Sequence, residues 1–220
     1  MRGDFIISYL DKKVFIVGCG PGASDLITMR GKRVIEEADV IVGSSRLIAD
    51  FGKRGDIETL VLKNNYQKVF DDIDNLKGEK RIVFLVSGDP LFHSLGERIV
   101  ERFGRENCEL IPGVSSFQYA FCQIKESWKD YRAFSIHGNK EIDIGKIFRE
   151  NNRFILLLDP EHNLKFLKRE IGLTLKGKYR FYIASNLSMP NEKISSISLN
   201  DFDNFSEESL SLLIVRREDG

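Results

Sequence analysis

Short apolar runs and charged amphipathic stretches alternate along the first half of the chain. The run at residues 14–17 ends in Gly18-Cys19-Gly20-Pro21-Gly22. A stretch at helical spacing follows over about 24–38, with Leu26, Ile27, Val34, Ile35 and Ala38 on its apolar positions and Ser24 placed to cap its start. Further strands are predicted at 40–42, 57–62, 82–86 and 108–111, and charged helical segments separate most of them. Consecutive strands joined through helices need crossover connections, so the pattern predicts a largely parallel sheet covered on both faces.

The second half reads differently. After Pro112-Gly113 comes a helix-like stretch at 114–124, then strands at 131–136, 154–158, 179–184, 193–198 and 210–215. The interval 199–209 is polar and turn-rich and leaves no room for a helix, which predicts a closing antiparallel hairpin in a mixed sheet. The expectation is therefore α/β throughout, with an N-terminal domain at 12–112 and a C-terminal domain at 113–220. Residues 1–11 read as an accessory extension.

Composition narrows the function classes. The 220 residues carry 33 Lys and Arg against 33 Asp and Glu, so no bulk charge draws the protein to nucleic acid. Apolar stretches such as 154–158 fall far short of the ~20 residues that cross a bilayer, and the apolar part of 5–10 is too short for a signal-peptide core. A cytoplasmic protein, without a membrane partner, is expected. Cys19, Cys108 and Cys122 are widely spaced, as are His93, His137 and His162, so neither a disulfide framework nor a metal site is read; the thiols are expected to be small buried residues.

Three loops remain as carriers of chemistry. Gly18-Cys19-Gly20-Pro21-Gly22-Ala23 satisfies the G-x-G-x-x-A dinucleotide fingerprint between strand and helix. Two details oppose that reading: Pro21 has no N–H for a pyrophosphate cradle, and the second strand ends in Gly43-Ser44 without an acidic ribose partner. The alternative is a glycine turn that lets strand and helix pack closely. The second loop, Ser87-Gly88-Asp89-Pro90-Leu91-Phe92, leaves a central strand at its carboxyl end, where open α/β sheets bind ligands and Asp89 would meet a cationic group. It also suits an ordinary strand exit. In the third, Pro112-Gly113-Val114-Ser115-Ser116, the two serines either cap the following helix or present hydroxyls and amides to a ligand.

Taken together and in this order, the three loops with Leu26-Ile27-Thr28 resemble the tetrapyrrole (corrin and porphyrin) methylases over nearly the whole chain from Lys13. Val42-Gly43-Ser44-Ser45-Arg46-Leu47, Ser135-Ile136-His137-Gly138 and Ser185-Asn186-Leu187-Ser188-Met189-Pro190-Asn191-Glu192 are similar to the branch that methylates carbon 5 of cobalt-precorrin-7. The resemblance implies two α/β domains with the active-site cleft between them, S-adenosylmethionine as methyl donor, a cobalt-corrinoid substrate and a homodimer. It also implies a separate carbon-15 methyltransferase and decarboxylase in the same pathway. By the same carry-over, Pro21, Gly88, Asp89 and Phe92 line the donor, Ser115 and Ser116 lie against its amino-acid part or sugar, and Leu158 and Leu187 flank its adenine. His93 and His137 stand near the substrate, and His137 is the one catalytic candidate, as acceptor of a proton after transfer.

The chain departs from the family pattern at His93-Ser94, where an aromatic residue and glycine are usual, and at Ser188, where the branch often has glycine. A carboxylate-rich substrate implies a basic cleft, for which Arg46, Lys63, Arg98 and Lys140 are positioned by their loops. Two other readings compete: a methylase of another tetrapyrrole position or of diphthine type, and a non-enzymatic module that binds a corrinoid or nucleotide.

Overall fold

A computed structural model describes residues 14–52, 55, 57–76, 80–136, 142–172, 175, 177–205 and 211–218. His137 and Lys140 lie outside the described residues, as does the extension at 1–11. The chain divides into two compact units, Met1–Ser115 and Ser116–Gly220.

In the first unit the order is β1 (Val14–Gly18), α1 (Met29–Glu36), β2 (Val40–Gly43), α2 (Ser45–Phe51), β3 (Glu58–Val61), α3 (Tyr66–Leu76), β4 (Ile82–Val86), α4 (Gly96–Phe103) and β5 (Cys108–Ile111). All five strands are parallel, in the spatial order β3-β2-β4-β1-β5. The continuous apolar runs are explained by this arrangement, because a central strand of such a sheet is buried on both faces. Val14, Ile16, Val40, Val42, Ile82, Phe84 and Val86 pack on one side with α3 and α4. Phe15, Val17, Ile41, Val83 and Leu85 pack on the other with α1 and α2.

The predicted start of the first helix is corrected. Ser24–Leu26 forms a short 3-10 turn with no side-chain cap, and α1 starts at Met29, with Thr28 Oγ1 accepting from Gly31 N–H at 3.1 Å. A threonine hydroxyl satisfies the same orphan amide as serine, so the cap moved four residues along the chain without changing its chemistry.

The second unit runs α5 (Ser116–Ile124), β6 (Arg132–Ser135), α6 (Ile144–Glu150), β7 (Arg153–Leu157), α7 (Leu164–Ile171), β8 (Tyr179–Ser185), β9 (Lys193–Ile197) and β10 (Ser211–Arg217). Its sheet is mixed, in the order β6-β7-β10-β8-β9. One face packs against α6 and α7, the other against α5 through Ala120 and Phe121. The expected hairpin between the last two strands does not form. Instead β10 inserts between β7 and β8, antiparallel to both, and β9 pairs with β8. Burial decides the placement: Leu212, Leu213, Ile214 and Val215 are all buried and need two covered faces, whereas β9 carries no fully buried residue and suits an edge.

Among the described residues no helix is long and apolar enough to cross a membrane, and no His, Cys, Asp and Glu cluster has the geometry of a metal site. Cys19 and Cys108 are buried thiols; Cys122 is exposed, contrary to the expectation for all three, because it lies on the solvent side of α5.

Candidate functional site

The order β4-β1-β5 puts the carboxyl ends of three adjacent parallel strands side by side, and the three loops of interest leave from those ends. They are joined by backbone. Cys19 N–H donates to Val86 O at 2.8 Å, and Gly20 and Gly88 exchange N–H···O bonds of 3.4 and 2.9 Å. These bonds dispose of the dinucleotide reading, because amides that would cradle a pyrophosphate already have partners in the second loop. The glycines do serve close packing: a Cβ on Gly18 would lie 2.6 Å from Gly88 O and 2.7 Å from Gly113 N.

Asp89 has a different duty from the one its position suggested. Its carboxylate accepts from Leu91 N–H at 2.9 Å and from Gly113 N–H at 3.3 Å, so it ties the second loop to the third. Gly88 adopts a left-handed φ of 66°, and a Cβ built there would meet only Ser115 Cα at 3.7 Å. Backbone is thus open to a ligand at the junction of the loops, with Pro21 and Ser115 buried beside their own loops.

Beyond Asp89 the second loop turns sharply. Phe92 is partly buried with its ring edge-on to His93 at 4.8 Å, and His93 has φ 49°. Loss of solvent holds the His93 imidazole below its ordinary pKa, which favours the neutral ring. Ser94, where the family pattern has glycine, is accommodated through its hydroxyl, which donates to Ser87 O at 3.4 Å. Arg46 Nη2 donates to Ser87 Oγ at 3.1 Å and pairs with Asp50 at 3.7 Å. Of the basic residues singled out in the sequence, it is thereby anchored to the second loop.

Pro21, Gly88, Asp89, Phe92, His93 and Ser115 therefore belong to one loop cluster in the first unit. Ser116 opens α5, and Leu158 and Leu187 are buried at the carboxyl ends of β7 and β8 in the second unit. The sequence reading passed over two neighbours of these leucines. Asp159 is buried, accepts from Glu161 and His162 N–H at 2.8 and 2.7 Å, and pairs with His162 Nδ1 at 3.0 Å. Asn186 is a buried amide at a left-handed turn. The Asp-Pro sequence at 159–160 is a turn signal that would have drawn attention to the first.

A cleft of about 500 Å³ lined by Arg132, Arg153 and Arg217 lies elsewhere, where β6 and β7 begin and β10 ends. Its arginines have structural partners, Arg153 with Asp130 at 3.3 Å and Arg132 with Asn151 at 3.5 Å. The loop cluster, at the carboxyl ends of parallel strands, is the better ligand site on physical grounds.

Comparison with known proteins bears directly on this cluster. The family model for tetrapyrrole (corrin/porphyrin) methylases matches residues 13–203, a span that contains all three loops. The chain belongs to the tetrapyrrole methylases. It is 31% identical over 197 residues to a probable cobalt-precorrin-7 C(5)-methyltransferase of Methanocaldococcus jannaschii, covering 87% of this chain and 92% of that protein. A precorrin-6Y methylase of cobalamin biosynthesis from Archaeoglobus fulgidus has a similar structure, with a TM-score of 0.70, 25% identity, and coverage of 93% of this chain and 98% of that one. A uroporphyrin-III C-methyl transferase from Thermus thermophilus, solved in complex with S-adenyl homocysteine, shares the fold at a TM-score of 0.75 and 19% identity over 93% of this chain and 97% of its own. As a tetrapyrrole methylase the protein is an S-adenosylmethionine-dependent C-methyltransferase, and its two α/β sheets agree with the architecture of these relatives.

The residues present suit such a donor. It needs close backbone approach rather than a phosphate cradle, and the open backbone at Gly88 is compatible with that approach.

Proposed function

We propose that this protein transfers a methyl group from S-adenosylmethionine to carbon 5 of cobalt-precorrin-7 in cobalamin biosynthesis. The observation that carries the carbon-5 assignment is the 31% identity to the Methanocaldococcus protein over 92% of that protein's length. The donor site consists of Pro21, Gly88, Asp89, Phe92, Ser115 and Ser116, with Leu158 and Leu187 assigned to the adenine through the family resemblance alone.

When bound, the donor supplies a sulfonium methyl whose leaving group is a neutral thioether, so departure needs no acid. The protein's task is then to hold the reactants at near-attack geometry and keep water out, a contribution that reaches about 7–11 kcal/mol in well-oriented systems. The loop junction is built for positioning. Asp89 commits its carboxylate to two backbone N–H groups, which fixes the second and third loops relative to each other. We therefore assign Asp89 to positioning, not proton removal. His93 and His137 stand on the substrate side of the proposal, and His137 remains the candidate acceptor of a proton after transfer. A homodimer, a cytoplasmic location and a separate enzyme for the carbon-15 steps complete the proposal.

The test is mass spectrometry after incubation with S-adenosylmethionine and a panel of cobalt-precorrins. One added methyl on cobalt-precorrin-7 alone supports the carbon-5 reading. Methylation of a different precorrin, or of a diphthine-type protein residue, overturns it while leaving the enzyme class intact. An undiminished single-turnover rate in His137→Ala removes that histidine from the chemistry.

A further inference from the structure

α2 begins directly after β2, and β2 lies beside β4 in the sheet. Ser44 Oγ caps the helix by accepting from Leu47 N–H at 3.3 Å, which fixes Arg46 in its first turn. That is the wrong end for a cation, because the helix dipole favours acids in the first turn and bases in the last. Asp50, the partner of Arg46 within α2, stands in the last turn and is misplaced in the same sense. The pair offers little compensation. Its 3.7 Å separation is beyond hydrogen-bond range, and side chains 32% and 39% exposed gain little from pairing in water. Helix stability does not account for an arginine at this position.

The place of its guanidinium does. Arg46 Nη2 donates to Ser87 Oγ at 3.1 Å, so the charge is held against the second loop one residue before Gly88. Gly88 is the residue whose left-handed backbone leaves space beside it, a Cβ there meeting only Ser115 Cα at 3.7 Å. The first loop is within reach as well. Burial dominates the Cys19 thiol, but the charges of Arg46 and Asp50 both act on it, the first lowering its pKa and the second raising it. Asp89, the acid of the second loop, is closed on Leu91 and Gly113 N–H. A guanidinium presents five N–H donors in a planar fork, and Ser87 takes one of them. Among the described residues no carboxylate lies within hydrogen-bond distance of the others. A cation tied to the loop junction by one edge of its fork suits a planar anion that accepts two parallel bonds.

Both reactants of a tetrapyrrole methylase carry such groups: the donor at its amino-acid end, the macrocycle on its acetate and propionate arms. We propose that Arg46 binds a carboxylate of a reactant seated at Gly88, through the N–H groups that Ser87 leaves open. The assignment rests on the reading of the three loops as the reactant site, and it adds a specificity residue from α2, which contributes to none of those loops.

Arg46→Gln tests it, since glutamine loses the charge and keeps a donor for Ser87 Oγ. Calorimetry compares S-adenosylhomocysteine with its decarboxylated analogue, S-adenosyl-3-thiopropylamine. Single-turnover transfer measures the half-saturating concentration of whichever cobalt-precorrin the unmodified chain methylates. If the donor supplies the carboxylate, the unmodified chain prefers S-adenosylhomocysteine about tenfold, the worth of one hydrogen bond to a charged group, and Arg46→Gln binds the two alike. If the macrocycle supplies it, donor affinity is unchanged and half-saturation rises about tenfold in Arg46→Gln, with the rate at saturation kept. That difference shrinks as salt is raised from about 0.05 to 0.5 M, because a charge contact is screened. Arg46→Lys keeps the charge without the fork and falls between the two in whichever arm responds. Arg105→Gln removes the same charge from an exposed turn at the amino end of β5, the opposite edge of the sheet, and leaves both arms within about twofold. An Arg46→Gln chain that matches the unmodified one in both arms, or an equal loss in Arg105→Gln, overturns the assignment and leaves the methyltransferase reading standing. An unmodified chain that neither binds S-adenosylhomocysteine nor methylates any cobalt-precorrin overturns both.

Discussion

Gly113→Ala adds one methyl group where the three loops of the first unit meet. Its Cβ would stand 2.3 Å from Gly88 O and 2.6 Å from Gly18 O, against a comfortable carbon–oxygen separation of about 3.3 Å. Both neighbours are backbone atoms and cannot rotate away, so the second and third loops must part by about 1 Å. Overpacking of this kind costs about 1–3 kcal/mol. For a chain of this size that corresponds to a fall in Tm of about 2–12 °C. The same displacement stretches the bond from Gly113 N–H to Asp89, already 3.3 Å long, and so loosens the junction. A misplacement of 1 Å at a positioning site lowers transfer by about 100-fold. Differential scanning fluorimetry, calorimetry with S-adenosylhomocysteine and a single-turnover methyl-transfer assay read the three consequences. Gly55→Ala is the matched control, because a Cβ there meets nothing within 4 Å and stability should stay within about 0.5 kcal/mol of the parent. A Gly113→Ala protein with the parent's Tm and donor affinity would refute the claim that loop contact positions the donor.

Other consequences follow from the same structure. Lys125, exposed just beyond α5, has φ 58°, so Lys125→Gly should stabilise the chain by about 0.5–1 kcal/mol; a lower Tm for the variant in thermal melts would contradict the strain argument. His93 has a folded-state pKa below the unfolded value of about 6.5, so the unfolded chain binds the proton more readily and stability is lost as pH falls through that range. Thermal melts between pH 7.5 and 5 should therefore show a flatter acid limb in His93→Asn, and an unchanged slope would exclude this contribution. Burial pushes the Cys19 thiol to about 12, while Cys122 is exposed. At pH 8, iodoacetamide should label Cys122 rapidly and Cys19 only on unfolding, read by peptide mass spectrometry; early labelling of Cys19 would show that the first loop opens.

The loop cluster was legible because each loop carries its own turn chemistry directly after an apolar strand: Gly18 to Gly22, Gly88 to Pro90 and Pro112 to Ser116 are local signals. What each residue does there was less legible. Asp89 read as a partner for a cation, whereas its carboxylate closes on Gly113 N–H, 24 positions away in the chain. The dinucleotide fingerprint failed for a related reason, since the amides of Cys19 and Gly20 bond to the second loop, which local spacing does not reveal. Ser188 departs from the glycine usual in its branch, and its left-handed φ of 61° shows why glycine suits that position.

By itself the sequence determined the strands, their two-faced burial in the first unit and the methylase family, because apolar runs, turn residues and motif order are properties of short segments. Tertiary structure decided the pairings. The last strand takes a central place in its sheet, between β7 and β8, because four consecutive buried aliphatic residues gain more from two neighbours and two covered faces than from a hairpin at the edge. The same long-range choice aligns the carboxyl ends of β7 and β8 and brings Ser185 and Leu158 to either side of Ser211, residues 27 positions apart whose proximity no local pattern encodes.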